Sequence, residues 1–340
     1  MNISRRRLLV APAAGFAAAY IGRSHAEEPA VTLRVSSAMP ADENASHFAA
    51  FTQLQQQLRE SLGGRIKLDF FPNSQLGKEA DVVQQVKVGA TDMLISGTSI
   101  WATVTPELGM LDLGYMFDSF DHLSRALDAG VSDTFSKMLE ARTGATFMGW
   151  GFNFGARNVY AKKPVSSSAD LKDLKLRVLP TPAFIQTFEA MGAIPTPIPV
   201  NELYTALQTG VVDGFEHDAG ATLTQRFYEF AKNCFLTEHL FSPIVISIGK
   251  RNLAKIPDDI RPTFLKVGAE AFKSERAIAV TKAKSLMEEL EKLGVVVRPV
   301  APDDRKAMQA KVAELLYKPF YEKYSSTKPI FEMIAAARAG

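Results

Sequence analysis

Val31, Leu33 and Val35 alternate with polar residues in VTLRVSSA (31–38), the period of a half-buried strand. A helical spacing of apolar residues follows to about Leu62 and stops at Gly63 and Gly64. RIKLDFF (65–71) reads as a second strand, EADVVQQVKVG (79–89) as a helix ended by Gly89, and TDMLIS (91–96) as a third strand. The order is β-α-β-α-β.

The same order returns further on. LKLRVLP (174–180) alternates Leu174, Leu176 and Val178, and TPAFIQTFEAMG (181–192) has Thr then Pro at a helix start and Gly at its end. AIPTPIP (193–199) is a short extended piece whose prolines suit an edge strand or polyproline geometry. NELYTALQTG (201–210) predicts a helix capped by Asn201 with Leu203, Ala206 and Leu207 inward, and VVDGFE (211–216) predicts the third strand. VKVGATDMLIS and LQTGVVDGFEH both read helix, Gly, two residues, Asp, then apolar residues, so Gly89 to Asp92 and Gly210 to Asp213 share one spacing. Two topologically similar α/β domains explain this better than a short-period repeat. Ser96, Gly97 and Thr98 then sit where His217 and Asp218 sit, just past the carboxyl end of a third strand, where open α/β sheets bind ligands.

Beyond residue 240 the pattern changes. FSPIVISIG (241–249) predicts a strand, 261–294 a long helix closed by Gly294, VVVRPV (295–300) a strand, and APDDRKAMQAKVAELLYKPFYEKY a further helix started by an Asp cap. A helix of about 30 residues spans roughly 45 Å, enough to run along both domains.

Length and charge narrow the class. The chain has 340 residues, 46% hydrophobic and 22% charged, enough for two domains with cores. Formal net charge is +2, but residues 1–26 hold four of the 39 Lys and Arg and no acid, which leaves 35 basic against 37 acidic residues. A near-neutral body without a basic stripe speaks against nucleic acid. SRRRLL (4–9), the apolar VAPAAGFAAAYIG and the small residues of SHA (24–26) form a secretory signal, with paired arginines like those of twin-arginine export. The expectation is a periplasmic protein exported with a cleaved leader of residues 1–26. The lone Cys234 fits a small buried position and excludes an internal disulfide.

The three consecutive ionisable residues Glu216, His217 and Asp218 suit a metal site, an acid–base device or a ligand contact. None of the five His forms a His-x3-His pair, and neighbours on an extended chain point to opposite faces, so a metal would need ligands from elsewhere. No Gly-x-Ser-x-Gly and no phosphate loop occurs, and GWGFNFG has aromatics where a dinucleotide loop needs bare backbone. Neither metal nor cofactor is expected. Arg177 lies on the strand face opposite Leu176 and Val178, and Arg157 follows the aromatic stretch that holds Asn153. Each is either a solvated Arg or a fork that grips a carboxylate through two parallel hydrogen bonds. His47, behind ADENAS, is either a surface residue at a helix start or a ligand contact.

GGRIKLDFFPNSQLG (63–77), PVSSSADLKDLKLRV (164–178) and NELYTALQTGVVDGFE (201–216), in this order, resemble the solute-binding subunits of tripartite ATP-independent periplasmic (TRAP) transporters across nearly the whole chain after the leader. The resemblance implies a two-domain α/β periplasmic binding protein of the Venus-flytrap type, a long helix joining the domains, and small and large membrane subunits driven by an ion gradient. Domain I is expected over 27–153 and about 241–282, domain II over 154–240, with C-terminal helices (283–340) packing across both in a monomer. The family's carboxylate-binding Arg, in DLK-x-LK-x-R, falls on Arg177, and its second Arg, in G-x-R, on Arg157. Where many sialic-acid binders carry Asn-Pro after VDG-x-E, this chain has His217 and Asp218, and their x-A-E strand end reads Ser96-Gly97 here, which points away from sialic acid.

The expected contacts are therefore Arg177, Arg157, His217, Glu216 (orienting His217 or binding a hydroxyl), Ser96, Thr98, His47 and Asn153. One Arg anchor among such polar groups suits a sugar acid, a hexuronate such as glucuronate or galacturonate first, because a small apolar oxo acid would leave them unpaired at roughly 1–3 kcal/mol each. The alternatives are a C4-dicarboxylate or small hydroxy or oxo monocarboxylate and, from another class, an exported hydrolase using Glu216 and His217.

Overall fold

The computed structural model describes residues 29–338, so the expected leader lies outside the described residues. Its strands are β1 (Val31–Ser37), β2 (Ile66–Phe71), β3 (Met93–Gly97) and β4 (Thr146–Phe152). Then come β5 (Arg157–Ala161), β6 (Lys175–Val178), β7 (Ile194–Pro197) and β8 (Gly214–His217), followed by β9 (Asn233–Leu240), β10 (Pro243–Ile248) and β11 (Val296–Pro299).

They form two sheets, ordered β2-β1-β3-β10-β4 and β11-β9-β5-β8-β6-β7. In the first, β1 runs parallel to β2 and β3, while β10 is antiparallel to both its neighbours. In the second, β5 is antiparallel to β8 and β9, and β6 is parallel to β7 and β8. The proline-rich β7 lies at the sheet edge, where a missing backbone N–H costs no ladder bond.

Strand periodicity sets the core. Leu33 and Val35 of β1 point inward with Ile66, Leu68, Met93 and Ile95, and pack against Phe51, Leu54 and Leu58 of the helix Ser46–Leu62. Phe264, Val267 and Phe272 of the helix Arg261–Lys292 close the same cluster. That helix has 32 residues, about 48 Å at 1.5 Å per residue, and also touches β4 and the helix Ala219–Thr224 that follows β8. It approaches β4 closely because β4 carries glycines: a Cβ on Gly149 would stand 2.4 Å from the carbonyl oxygen of Gly268. Cys234 is buried, as its apolar surroundings in β9 require. Among the described residues no helix is long and apolar enough to cross a membrane.

Two expected caps are corrected. The helix expected to start at Asn201 is Val200–Gln208 with Pro199 at the cap position, so the fixed φ of proline opens it and Asn201 falls in the first turn. The helix Pro302–Val312 starts after Ala301; Asp303 and Asp304 are in its first turn, and Asp304 instead accepts from the Ser168 backbone N–H at 2.7 Å. β8 also begins at Gly214, not at Val211, because the Val211 N–H still bonds the Ala206 carbonyl and finishes the preceding helix.

The chain passes between the sheets three times: from β4 to β5, from β9 to β10, and from the long helix to β11. The short links at 153–156 and 241–242 lie next to the facing strand ends of β3 and β8.

Candidate functional site

A cavity opens between those strand ends. Met39, His47, Glu79, Gly97, Ser99 and Ile100 wall it from the first sheet's side, Arg157, Leu179, Phe184, Val200 and His217 from the second, and Asn153 and Ser242 from the links. Next to the wall residue Glu79, the Lys78 ammonium meets the Glu202 carboxylate at 2.5 Å, joining the two sides. A roomier recess of about 170 Å³ between Pro106, Pro182 and Phe320 has no buried arginine on its wall, so the charged chemistry belongs to the cavity.

The strand end after β3 supplies different residues from those expected. Ser96 and Thr98 are fully buried off the wall; the Ser96 hydroxyl accepts from the Trp101 indole N–H at 3.2 Å. Alternation along an extended chain then turns Gly97 toward the opening, and the helix Thr98–Trp101 brings Ser99 with it.

Glu216 is likewise not a wall residue. It pairs with Val159 across the β5–β8 ladder, which places Arg157 on its diagonal. Arg157 donates to it from Nε at 2.6 Å and from Nη2 at 2.8 Å, and lies 5.1 Å over the Phe184 ring. Burial alone would push the Glu216 carboxyl up, but Arg157 and His239, whose Nε2 is 3.4 Å away, hold it down to about 2. Burial also opposes the Arg157 charge, and Glu216 outweighs it, so the guanidinium titrates above its usual range. Glu216 therefore orients Arg157, not His217, and has no proton to give in an acid–base step.

Arg177 is fully buried in β6. Its Nε donates to the Ile198 carbonyl at 2.7 Å, while Nη1 and Nη2 have no protein partner. Burial pulls its pKa down to about 10, with Arg157 acting the same way and Glu216 and Glu79 opposing. A guanidinium anchored at one nitrogen with two parallel donors free has the shape that matches a carboxylate.

Two imidazoles face the cavity. His47 bonds Ser37 through Nδ1 at 2.9 Å, and burial lowers its pKa to about 4. His217 bonds Asp218 through Nδ1 at 2.8 Å; burial, helped by Arg157, outweighs Asp218 and lowers its pKa too. Asp218 caps the helix after β8 by accepting from the Ala221 N–H at 2.9 Å. Asn153 accepts from the Ser46 hydroxyl at 3.3 Å, and the Ser242 hydroxyl is buried without a protein partner.

Glu79 was not foreseen. It opens the helix Glu79–Val88, where an acid reads as a partner of the helix dipole. Placed half-buried on the cavity wall, it has its pKa raised to about 7 by burial, against the pull of Arg177 and Arg157. The LGKE sequence at 76–79 carried no signal beyond a helix start.

The arrangement offers one free arginine fork, a second arginine fixed by its own carboxylate, and imidazole, carboxyl, amide and hydroxyl groups around them. No group of three or more His, Cys, Asp or Glu that could hold a metal occurs among the described residues.

The family model described as bacterial extracellular solute-binding protein, family 7, matches residues 36–323. The chain is 31% identical over 265 residues to the 2,3-diketo-L-gulonate-binding periplasmic protein of Escherichia coli K12, which covers 78% of this chain and 79% of that one. It is similar to a solved TRAP periplasmic solute-binding protein of Xanthobacter autotrophicus Py2 with bound β-D-galacturonate, at a TM-score of 0.81 and 29% identity over 91% of this chain and 99% of that one. A second, from Chromohalobacter salexigens with bound D-glucuronate, gives a TM-score of 0.83 at 26% identity over 90% and 99%.

Proposed function

Because the chain belongs to family 7 of the bacterial extracellular solute-binding proteins, those of TRAP transporters, we propose that it captures a hexuronate in the periplasm for uptake. The observation that carries the proposal is the Arg177 fork: it is buried just off the cavity wall, anchored to Ile198 with Nη1 and Nη2 unpaired, and close enough to the wall residues Glu79 and Arg157 to feel their charges. It receives the solute carboxylate bidentately. Arg157, held by Glu216, adds a second positive group, and His47, Glu79, Ser99, Asn153 and His217 serve the hydroxyls.

The geometry favours one solute carboxylate over two: Arg157 already has a carboxylate partner in Glu216, whereas the Arg177 fork has none. It also disfavours hydrolysis, since both oxygens of Glu216 are taken by Arg157. Two domains, 27–153 with about 241–282 and 154–240, close on the solute, and the small and large membrane subunits receive it. Export would remove residues 1–26.

A thermal-shift panel of D-glucuronate, D-galacturonate, D-galactonate, succinate and pyruvate tests the proposal. A ligand at 100 times its Kd adds about 2.7 kcal/mol to stability. The hexuronates should raise Tm most and be recovered intact; a shift with succinate or pyruvate alone, or turnover of the sugar acid, refutes it.

A further inference from the structure

His217 has two possible neutral forms, and they offer a ligand opposite chemistry. With the proton on Nδ1, the nitrogen left for the cavity, Nε2, is a bare acceptor; with the proton on Nε2, it is a donor. Among the described residues the hydrogen bonds of the His217 ring all run through Nδ1, and the ring lies on the cavity wall. Nδ1 decides the matter, and two groups of Asp218 compete for it. The carboxylate oxygen Oδ2 stands 2.8 Å from Nδ1 and the Asp218 backbone N–H 3.0 Å from it. The carboxylate wants a proton on Nδ1; the N–H wants a lone pair there.

The carboxylate prevails, because a hydrogen bond to an ionised oxygen is roughly twice as strong as one between neutral groups. Placing a lone pair opposite a carboxylate at that distance would add repulsion. Asp218 stays ionised: burial works against its charge, but His217, Arg157 and the Ala221 N–H outweigh it and hold its pKa below the usual range.

We propose that Asp218 fixes His217 as the Nδ1–H tautomer, so that Nε2 selects a ligand carrying a hydroxyl donor, not a carbonyl or carboxylate oxygen, at the point it faces. This rests on the reading of the cavity as a sugar-acid site. Asp218 is a positioning residue: it acts on the ligand through the imidazole. The structure gives it this work in addition to the helix cap, which Oδ1 performs on Ala221 while Oδ2 serves His217. An Asn in its place keeps the cap through its oxygen and turns an NH2 donor toward Nδ1, which moves the ring proton to Nε2.

The test uses the whole chain after the leader, with D-glucuronate and its monodeoxyfluoro analogues as probes, because fluorine cannot donate. The tautomer is read first, without ligand, from the 15N shifts of His217. The wild type should show a protonated Nδ1 and a bare Nε2, and Asp218→Asn the reverse with an unchanged circular dichroism spectrum. Calorimetry then compares Kd values. In the wild type one fluoro analogue should bind about 10- to 100-fold more weakly than D-glucuronate. In Asp218→Asn that gap should shrink at least tenfold, while the gaps at the other positions stay as they were.

A protonated Nε2 in the wild type overturns the proposal, as does an equal fluoro penalty in both proteins at every position. If D-glucuronate and D-galacturonate both fail to bind while the Nδ1–H tautomer is seen, it is the sugar-acid reading that has failed, not the role of Asp218 in setting the ring.

Discussion

Arg157 holds Glu216 with two parallel hydrogen bonds of 2.6 and 2.8 Å, and both side chains are buried. The pair is a built-in carboxylate–guanidinium contact one strand away from a guanidinium that lacks one, since Arg177 pairs with Phe215 across β6 and β8. Removing one charge of a buried pair strands the other and costs about 3–5 kcal/mol. Glu216→Gln should therefore lower the ligand-free Tm markedly, as followed by circular dichroism. A melt like that of the wild type would show that the pair does not hold the site together.

Arg177 should behave in the opposite way. An ammonium lacks the planar fork, so Arg177→Lys should weaken hexuronate binding by about 2–4 kcal/mol, roughly 30- to 1,000-fold, by calorimetry. Arg177→Met goes further: it replaces a buried charge whose Nη1 and Nη2 have no protein partner by an apolar chain of similar length. It should abolish binding while leaving ligand-free stability within about 1 kcal/mol of the wild type, because removal of the buried charge offsets the Ile198 carbonyl left without its Nε donor. If Arg177→Lys binds like the wild type, the anchor is elsewhere and Arg157 is next to be tested.

Glu275, in the long helix, accepts from the Phe152 N–H at 2.8 Å where β4 gives way to the first link. Burial raises its pKa to about 8 from the ordinary 4.5, against the pull of Phe152 and Arg276. The folded chain thus keeps a proton that the unfolded chain releases, so this contribution to stability is complete below about pH 4.5 and is lost as pH rises toward 8. Glu79 and Asp112, also raised by burial, act in the same direction. Glu275→Gln should remove one such component: the difference in Tm between variant and wild type should move in the variant's favour from pH 5 to pH 9. A difference constant across that range would mean that Glu275 does not hold its proton.

Gly149 and Gly151 set how closely the long helix lies on β4. A Cβ at 149 would meet the Gly268 oxygen at 2.4 Å and the Phe272 Cβ at 2.7 Å, both parts of a rigid helix. Gly149→Ala should cost about 1–3 kcal/mol through the displaced helix, measured by denaturant unfolding. Gly192, half-buried, has nothing within 4 Å of its Cβ position but holds φ at +92°, so Gly192→Ala tests backbone strain without a clash. A loss at 192 as large as that at 149 would assign the effect to the backbone and not to helix contact.

What the sequence disclosed followed from exposure on one side. β1 alternates because one of its faces is less buried than the other, and Gly89 and Gly210 end their helices at positive φ, so pattern and punctuation were both readable. β5 has all five residues buried and β4 six of its seven, which erases alternation; neither was foreseen from the aromatic run, which overlaps the end of β4 and stops just before β5. At the site, Arg177 stood out because a charge in an apolar strand needs a reason. Ser96 and Thr98 were chosen in place of Gly97 and Ser99, since composition does not reveal the phase of a strand end. Glu79 looked like an ordinary helix opening, and the link between Asp218 and His217 depends on which ring nitrogen turns back, which only three dimensions decide.

The insertion of β10 between β3 and β4 has a consequence for biosynthesis. The first sheet lacks a middle strand until residue 248 has left the ribosome, although its other four strands are complete by residue 152. For nearly a hundred residues of synthesis, the facing edges of β3 and β4 have no partner, and open edges invite pairing with other chains. The second sheet waits longer still, for β11 at 296–299. A nascent chain of this protein should thus depend on holding chaperones over much of its length, and a messenger truncated anywhere before codon 249 should yield an aggregating product and not a half-sized binder.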